Sequence, residues 1–178
     1  LQPPMKGDHL LIVTNGGGPG VLAADRAAEL GLTLATLSDE TNVKLGEILP
    51  SCWSHGNPVD VLGETTVEGY GKAVELCLSD GNVDGVVAIL APLSMTDTTG
   101  VAQRLVEISK LSRKPVLTCW MGAGLVADAV ALFAQNRVPH FESPEQAAEA
   151  MSYLANYHRN QKLSMQYPGP LSERRNPD

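Results

Sequence analysis

Apolar positions along this chain fall into two kinds of pattern, short unbroken runs and longer stretches with helical spacing. Leu10 to Val13 is a run of strand length, and the predicted first strand spans His9 to Thr14. Leu32 to Leu37, Gly85 to Leu90, Val116 to Trp120 and Val138 to Phe141 read as four more strands. The run Gly85 to Leu90 is apolar throughout, as in a parallel strand covered on both faces. Helical spacing fills the gaps. The first helix is predicted from Pro19 to Leu30, with Val21, Ala24 and Ala28 on its inner face and Gly31 just past its end. Ser38 caps a second helix reaching about Leu49, with Val43, Leu45, Ile48 and Leu49 as its apolar set. Pro50 to Gly63 reads as a long irregular loop, with a turn at Asn57-Pro58. Further helices are predicted over Thr66 to Ser79, Thr98 to Leu111 and Gly122 to Asn136. Ser143-Pro144-Glu145-Gln146 opens a last helix that ends near Asn160.

Strands alternating with helices predict an α/β fold, a doubly wound parallel sheet of five strands in the order 2-1-3-4-5. In such sheets ligands sit beyond the carboxyl ends of the strands, next to the switch point. That geometry brings together the loops 15–20 and 91–97, and a third from 54 to 63. The domain is expected over residues 9–161, with 1–8 as a polar lead-in linker and 162–178 as a linker towards a following domain. The chain begins with Leu1 and closes on a Pro-containing polar tail, which reads as a piece cut from a longer protein.

The 178 residues suffice for one domain with a sizeable core. Aromatic residues make up only 4%, so small side chains must let helices lie close on the sheet. A formal charge of −7 argues against nucleic acid or an anionic membrane as the main partner. Cys52, Cys77 and Cys119 are widely spaced and fit neither a disulfide framework nor a zinc site; with no signal peptide, they suggest a cytoplasmic protein. His9, His140 and His158 match no metal spacing, and no metal site is expected.

The stretch with the most chemistry is Asn15-Gly16-Gly17-Gly18-Pro19-Gly20-Val21, between the first strand and the first helix. Glycines permit positive φ and expose bare backbone, and Pro19 suits a first helical turn. Free N–H groups at a helix start attract anions, phosphate above all. The stretch is neither a P-loop, because no lysine follows, nor a dinucleotide fingerprint, because the third glycine would fall at Val21. Two readings stay open on these residues: a phosphate cradle, or a tight turn whose glycines serve packing alone.

Taken in order, Val13-Thr-Asn-Gly-Gly-Gly-Pro-Gly-Val-Leu-Ala-Ala-Asp25, Leu37-Ser38, Ile48-Leu-Pro50, Gly56-Asn-Pro-Val-Asp60, Met95-Thr-Asp97, Lys114-Pro-Val116, Trp120-Met-Gly122 and Tyr157-His-Arg-Asn160 resemble the NDP-forming acyl-CoA synthetases. The match runs from His9 to Gln161 and is to the second of two flavodoxin-like domains in those proteins. The same domain occurs in large synthetase-like protein lysine acetyltransferases. The resemblance implies a flavodoxin-like fold. It also implies a parent enzyme that interconverts acyl-CoA, phosphate and ADP or GDP with acid, CoA and ATP or GTP, with Mg. A histidine on the other flavodoxin-like domain carries the phosphoryl group, nucleotide binds an ATP-grasp domain, and CoA binds a Rossmann-like domain. These domains are the implied partners, a homodimer is a further expectation, and no cofactor is expected on this domain alone. Carried over by motif, the cradle is Asn15, Gly16, Gly17, Gly18, Gly20 and Val21, and the loop with Pro92, Met95, Thr96 and Asp97 faces the acyl site. No residue of this domain is implied to be catalytic.

Two features set the chain apart. Related sequences often read Thr-Pro-Gln where this one has Ala91-Pro92-Leu93, which removes two polar groups from the acyl-site loop. His55 precedes Gly56-Asn-Pro and reads as a loop residue rather than a phosphoryl carrier. Asp60 reads as a turn former and Asp97 as an N-cap. A different class of function stands beside this one: a free-standing flavodoxin-like module binding FMN or a nucleotide, or serving regulation only. The first loop lacks the Ser/Thr-rich composition of an FMN phosphate site.

Overall fold

A computed structural model describes residues 2–93 and 96–165. Six strands and six helices alternate along it: β1 (His9–Thr14), α1 (Gly17–Glu29), β2 (Thr33–Leu34), α2 (Asp39–Ile48), β3 (Val59–Asp60), α3 (Val67–Ser79), β4 (Gly85–Leu90), α4 (Thr98–Leu111), β5 (Val116–Trp120), α5 (Ala127–Gln135), β6 (His140–Phe141) and α6 (Pro144–Ser164). A short 3-10 turn, Ala123–Val126, leads into α5. All strand pairs are parallel, in the order β2-β1-β4-β5-β6. Counting only those five, this is the predicted 2-1-3-4-5 order of a flavodoxin-like sheet.

The alternation of side chains explains the layers. Leu10 and Ile12 of β1, with Val87 and Ile89 of β4, face α1 and α6. Leu11 and Val13, with Val86, Ala88 and Leu90, face the helices α2 to α5. β4 is therefore buried at every position and β1 at all but the exposed His9, with their apolar residues covered on both faces, as in parallel strands under helices. Ala23 and Ala27 of α1 meet Ala147, Ala148 and Met151 of α6 in one cluster. Alanine at these positions keeps the helix layer close to the sheet.

Several sequence expectations change. The inner face of α1 is Gly20, Ala23 and Ala27, while Val21 is half exposed and Ala28 is exposed. The buried face is displaced by one residue from the predicted one. In α2 only Thr41 and Leu45 are buried, and Val43 and Ile48 reach solvent. β2 pairs over two residues only.

The loop after α2 contains an unpredicted strand, β3, which pairs Val13 with Val59 and Thr14 with Asp60 on the edge of β1 that β2 uses further back. Between the two short pairings, the Asn57 side chain stands in for a strand. Its amide nitrogen donates to Leu10 O (2.8 Å) and Ala35 O (3.0 Å), and its oxygen accepts from Ile12 N (3.1 Å). The polar lead-in is also tied down. Met5 is fully buried in the α1–α6 cluster, and Gln2 Oε1 accepts from Val116 N at 3.0 Å.

Candidate functional site

The carboxyl ends of β1, β3, β4 and β5 bring four loops together. Thr14 closes β1 with a local turn. Its hydroxyl donates to Gly16 O (2.8 Å) and accepts from Gly16 N (3.1 Å). Asn15, only 3% exposed, donates from Nδ2 to Ala91 O and accepts from Ala91 N, both at 2.8 Å. The glycine turn is thereby bound to the loop that follows β4.

Gly16 is the N-cap of α1 in an extended conformation and makes no side-chain cap. Gly17 and Gly18 follow, and Pro19 contributes no N–H. Gly20 N reaches back to Gly16 O at a weak 3.4 Å. Among the described residues, the N–H groups of Gly17 and Gly18 have no acceptor. Of the cradle residues expected from sequence, these two alone present backbone donors at the helix start. Asn15 gives its side-chain amide to Ala91, Gly16 gives its N–H to Thr14, and Val21 lies one position past Gly20 with an exposed side chain.

The glycines are not there for left-handed backbone. Positive φ among glycines occurs only at Gly31 and Gly122 in the described residues. Close approach explains Gly20 instead. A Cβ on Gly20 would lie 2.9 Å from Thr14 Cγ2 and 3.2 Å from Pro58 Cβ. On Gly17 it would lie 3.4 Å from Asp60 Oδ2, and on Gly18 it would meet nothing within 4 Å. Gly18 is the open face of the turn.

Asp60 is held from two sides. Its N–H donates to Ser54 Oγ (2.9 Å), and its Oδ1 accepts from Leu62 N (2.9 Å). This is the turn-forming role expected of it, and it also sets a carboxylate beside Gly17. Beneath the turn, the buried Tyr70 hydroxyl donates to Ile89 O at 2.7 Å and lies 3.2 Å from Val13 O, locking the ends of β1 and β4. Burial pushes its pKa well above the ordinary tyrosine value, so it stays a donor.

The loop after β4 packs against two others. Gly63 has no room for a side chain beside Leu93, and Gly122, at φ +105°, has none beside Pro92. Asp97 caps α4, with Oδ1 accepting from Gly100 N at 2.8 Å, as expected. Thr96 is used in the loop itself: its Oγ1 accepts from Leu93 N and its N–H donates to Leu93 O. Met95, also assigned to this loop, lies outside the described residues. Thr14 and Gly122 build the site without having been assigned to it from sequence. Only the strand-end position of Thr14 could have signalled either of them. His55, exposed and with its ring tilted against Trp53 at 4.7 Å between centroids, stays a loop residue with its Nε2 at 3.0 Å from Ser51 O. No cluster of three or more His, Cys, Asp or Glu fit to hold a metal occurs among the described residues. Nor is any described helix long and apolar enough to cross a membrane.

Comparison with known proteins agrees with this architecture. The model of the Ligase-CoA domain matches residues 10–162. An ADP-forming acetate–CoA ligase of Archaeoglobus fulgidus is 36% identical over 152 residues, covering 85% of this chain and 21% of that protein. The alpha subunit of an ADP-forming acetate–CoA ligase of Pyrococcus furiosus is 36% identical over 165 residues, covering 89% of this chain and 36% of the subunit. The chain thus spans about a fifth to a third of these curated relatives. A solved protein of Pyrococcus horikoshii superposes with a TM-score of 0.85 at 36% identity, over 89% of this chain and 38% of that one. The dinucleotide-forming acetyl-coenzyme A synthetase 1 of Ca. Korarchaeum cryptofilum, solved with phosphate and ADP, gives 0.82 at 28% identity, over 94% and 37%. A parallel sheet in this order, a glycine turn clamped to the loop after β4, and a family match over most of its length place the chain in the Ligase-CoA domain family of NDP-forming acyl-CoA synthetases.

Proposed function

We propose that this domain seats the phosphoryl group of a phosphohistidine carried on a neighbouring flavodoxin-like domain, within an ADP-forming acyl-CoA synthetase. The observation that carries the reading is the pair of N–H groups on Gly17 and Gly18 at the start of α1, with open space over Gly18. A helix start concentrates about half a positive charge, and N–H donors hold a dianion without a proton to lose. Asp60 beside Gly17 tempers that attraction. A moderate hold suits a group that must be passed on rather than kept.

In this reading nucleotide, Mg and CoA bind other domains of the parent enzyme, and the loop with Pro92, Thr96 and Asp97 borders the acyl site. With Ala91 and Leu93 in place of polar residues, and Ala91 already joined to Asn15, that loop contributes shape more than hydrogen bonds. Of the two parents that the resemblance allows, synthetase and synthetase-like lysine acetyltransferase, the ligase names of the relatives favour the first.

Gly18 is the position to test, because a side chain there meets nothing. Gly18→Asp, in the full-length parent, should lower histidine phosphorylation about tenfold or more, the effect of roughly 1.4 kcal/mol of charge repulsion at a helix start. Gly18→Ala, which keeps the N–H, should stay close to wild type. Equal phosphorylation in all three proteins would refute the cradle.

A further inference from the structure

A cavity of about 400 Å³ opens at the far end of the sheet from the glycine turn, where α1 ends, β1 begins and the last turns of α6 pass. Its apolar lining comes from Leu30, Leu32, Ala155 and Leu163. Its charged lining is Lys6, Arg159 and Lys162, against one carboxylate, Asp8. In a chain of net charge −7 this is a local excess of two positive charges, three cations less one anion.

Of the other described cations, four are held in ion pairs, and Lys110, Arg113, Lys114 and Arg137 are not. Arg26, Lys44, Lys72 and Arg104 all form ion pairs with glutamates. Lys6, Arg159 and Lys162 form none among the described residues, and Asp8 lies 3.4 Å from the His9 ring. Lys162 complements the carbonyl end of α6, where a cation is ordinary. Lys6, from before β1, and Arg159, five residues before the end of α6, have no such reason to converge.

We propose that this cavity binds a small organic phosphate, a dianion on an apolar body. Two surplus positive charges match the phosphate dianion, and Arg159 offers the planar donor fork that phosphate oxygens accept. The volume is that of a small-molecule site, and its apolar lining asks for more than an inorganic ion. The site is separate from the glycine turn and does not depend on the function proposed for it; the two lie at opposite ends of α1.

Phenyl phosphate titrated into the ¹⁵N-labelled chain tests this by amide shifts. Saturable shifts at Gly31, Ala155 and Asn156 are expected, with phenyl phosphate about tenfold tighter than inorganic phosphate. The double variant Arg159→Ala/Lys162→Ala, changed at two exposed positions, should keep its thermal midpoint and weaken binding about tenfold or more. Three results would overturn the proposal: no saturation at millimolar phenyl phosphate, the same affinity in the double variant, or shifts confined to Gly17 and Gly18. The last would leave an anion site at the glycine turn alone.

Discussion

Asn15 and Ala91 are joined by two hydrogen bonds of 2.8 Å, one in each direction, between a side-chain amide and a backbone peptide. The pairing copies a strand ladder at the point where β1 and β4 part, and so fixes the glycine turn against the loop after β4. Asn15 is almost completely shielded from water and Ala91 is half-buried. Asn15→Leu should therefore leave the Ala91 N–H and carbonyl unpaired and cost roughly 2–4 kcal/mol, from about 1–2 kcal/mol for each group. Urea denaturation would measure it. A midpoint within error of wild type would show that water or a shifted loop replaces the amide.

Glycines two positions apart in the same turn should answer oppositely to alanine. Gly20→Ala drives a Cβ to 2.9 Å from Thr14 Cγ2, which a packed turn cannot absorb, and should destabilise by about 1–3 kcal/mol. Gly18→Ala enters open space on a helix and should be neutral or stabilise by up to about 1 kcal/mol. Thermal melts of the two variants make the comparison, and a larger loss at Gly18 would contradict the packing described for the turn.

Acid should unfold the domain in part through Asp80. Its burial alone would raise the pKa, but donors from Asn82 N, Thr41, and both the N–H and hydroxyl of Ser38 outweigh that and hold it below the ordinary aspartate value. A carboxyl lowered on folding stabilises at pH above its unfolded pKa. That contribution is lost as pH falls through the folded value. Asp80→Asn should cost roughly 1–3 kcal/mol at neutral pH. It should also flatten the decline in stability below the unfolded aspartate pKa. Parallel stability curves for the two proteins from neutral to acid pH would be the contrary result.

Thiol chemistry should single out Cys52. It is exposed, whereas Cys77 and Cys119 are buried. Burial pushes the Cys119 thiol up to about 12 and the Cys77 thiol higher still. An aromatic disulfide reagent at neutral pH should titrate one thiol in the native protein and all three after denaturation. Fast reaction of a second thiol would mean that one face of the sheet opens readily.

How much of this was legible beforehand divides along a physical line. Strand-length apolar runs, helical spacing and caps are local, and they predicted most elements and the sheet order. Ser38, Asp97 and Ser143 accept from the N–H groups three residues on, as cap residues do. A glycine turn opening a helix could also be read from Asn15 to Val21, because bare backbone followed by a helix is a local property. Contacts across the sheet could not. β3 has only two paired residues and no run of its own; the edge of β1 and the Asn57 amide define it. Which amides of the glycine turn stay available is set by Thr14, Ala91 and Gly16 taking the other groups, and the lysines and arginine of the far cavity meet only because α6 returns past the start of β1. Chain-local preferences write the list of elements, while the partners of each polar group are chosen by whatever the folded chain brings within hydrogen-bond reach.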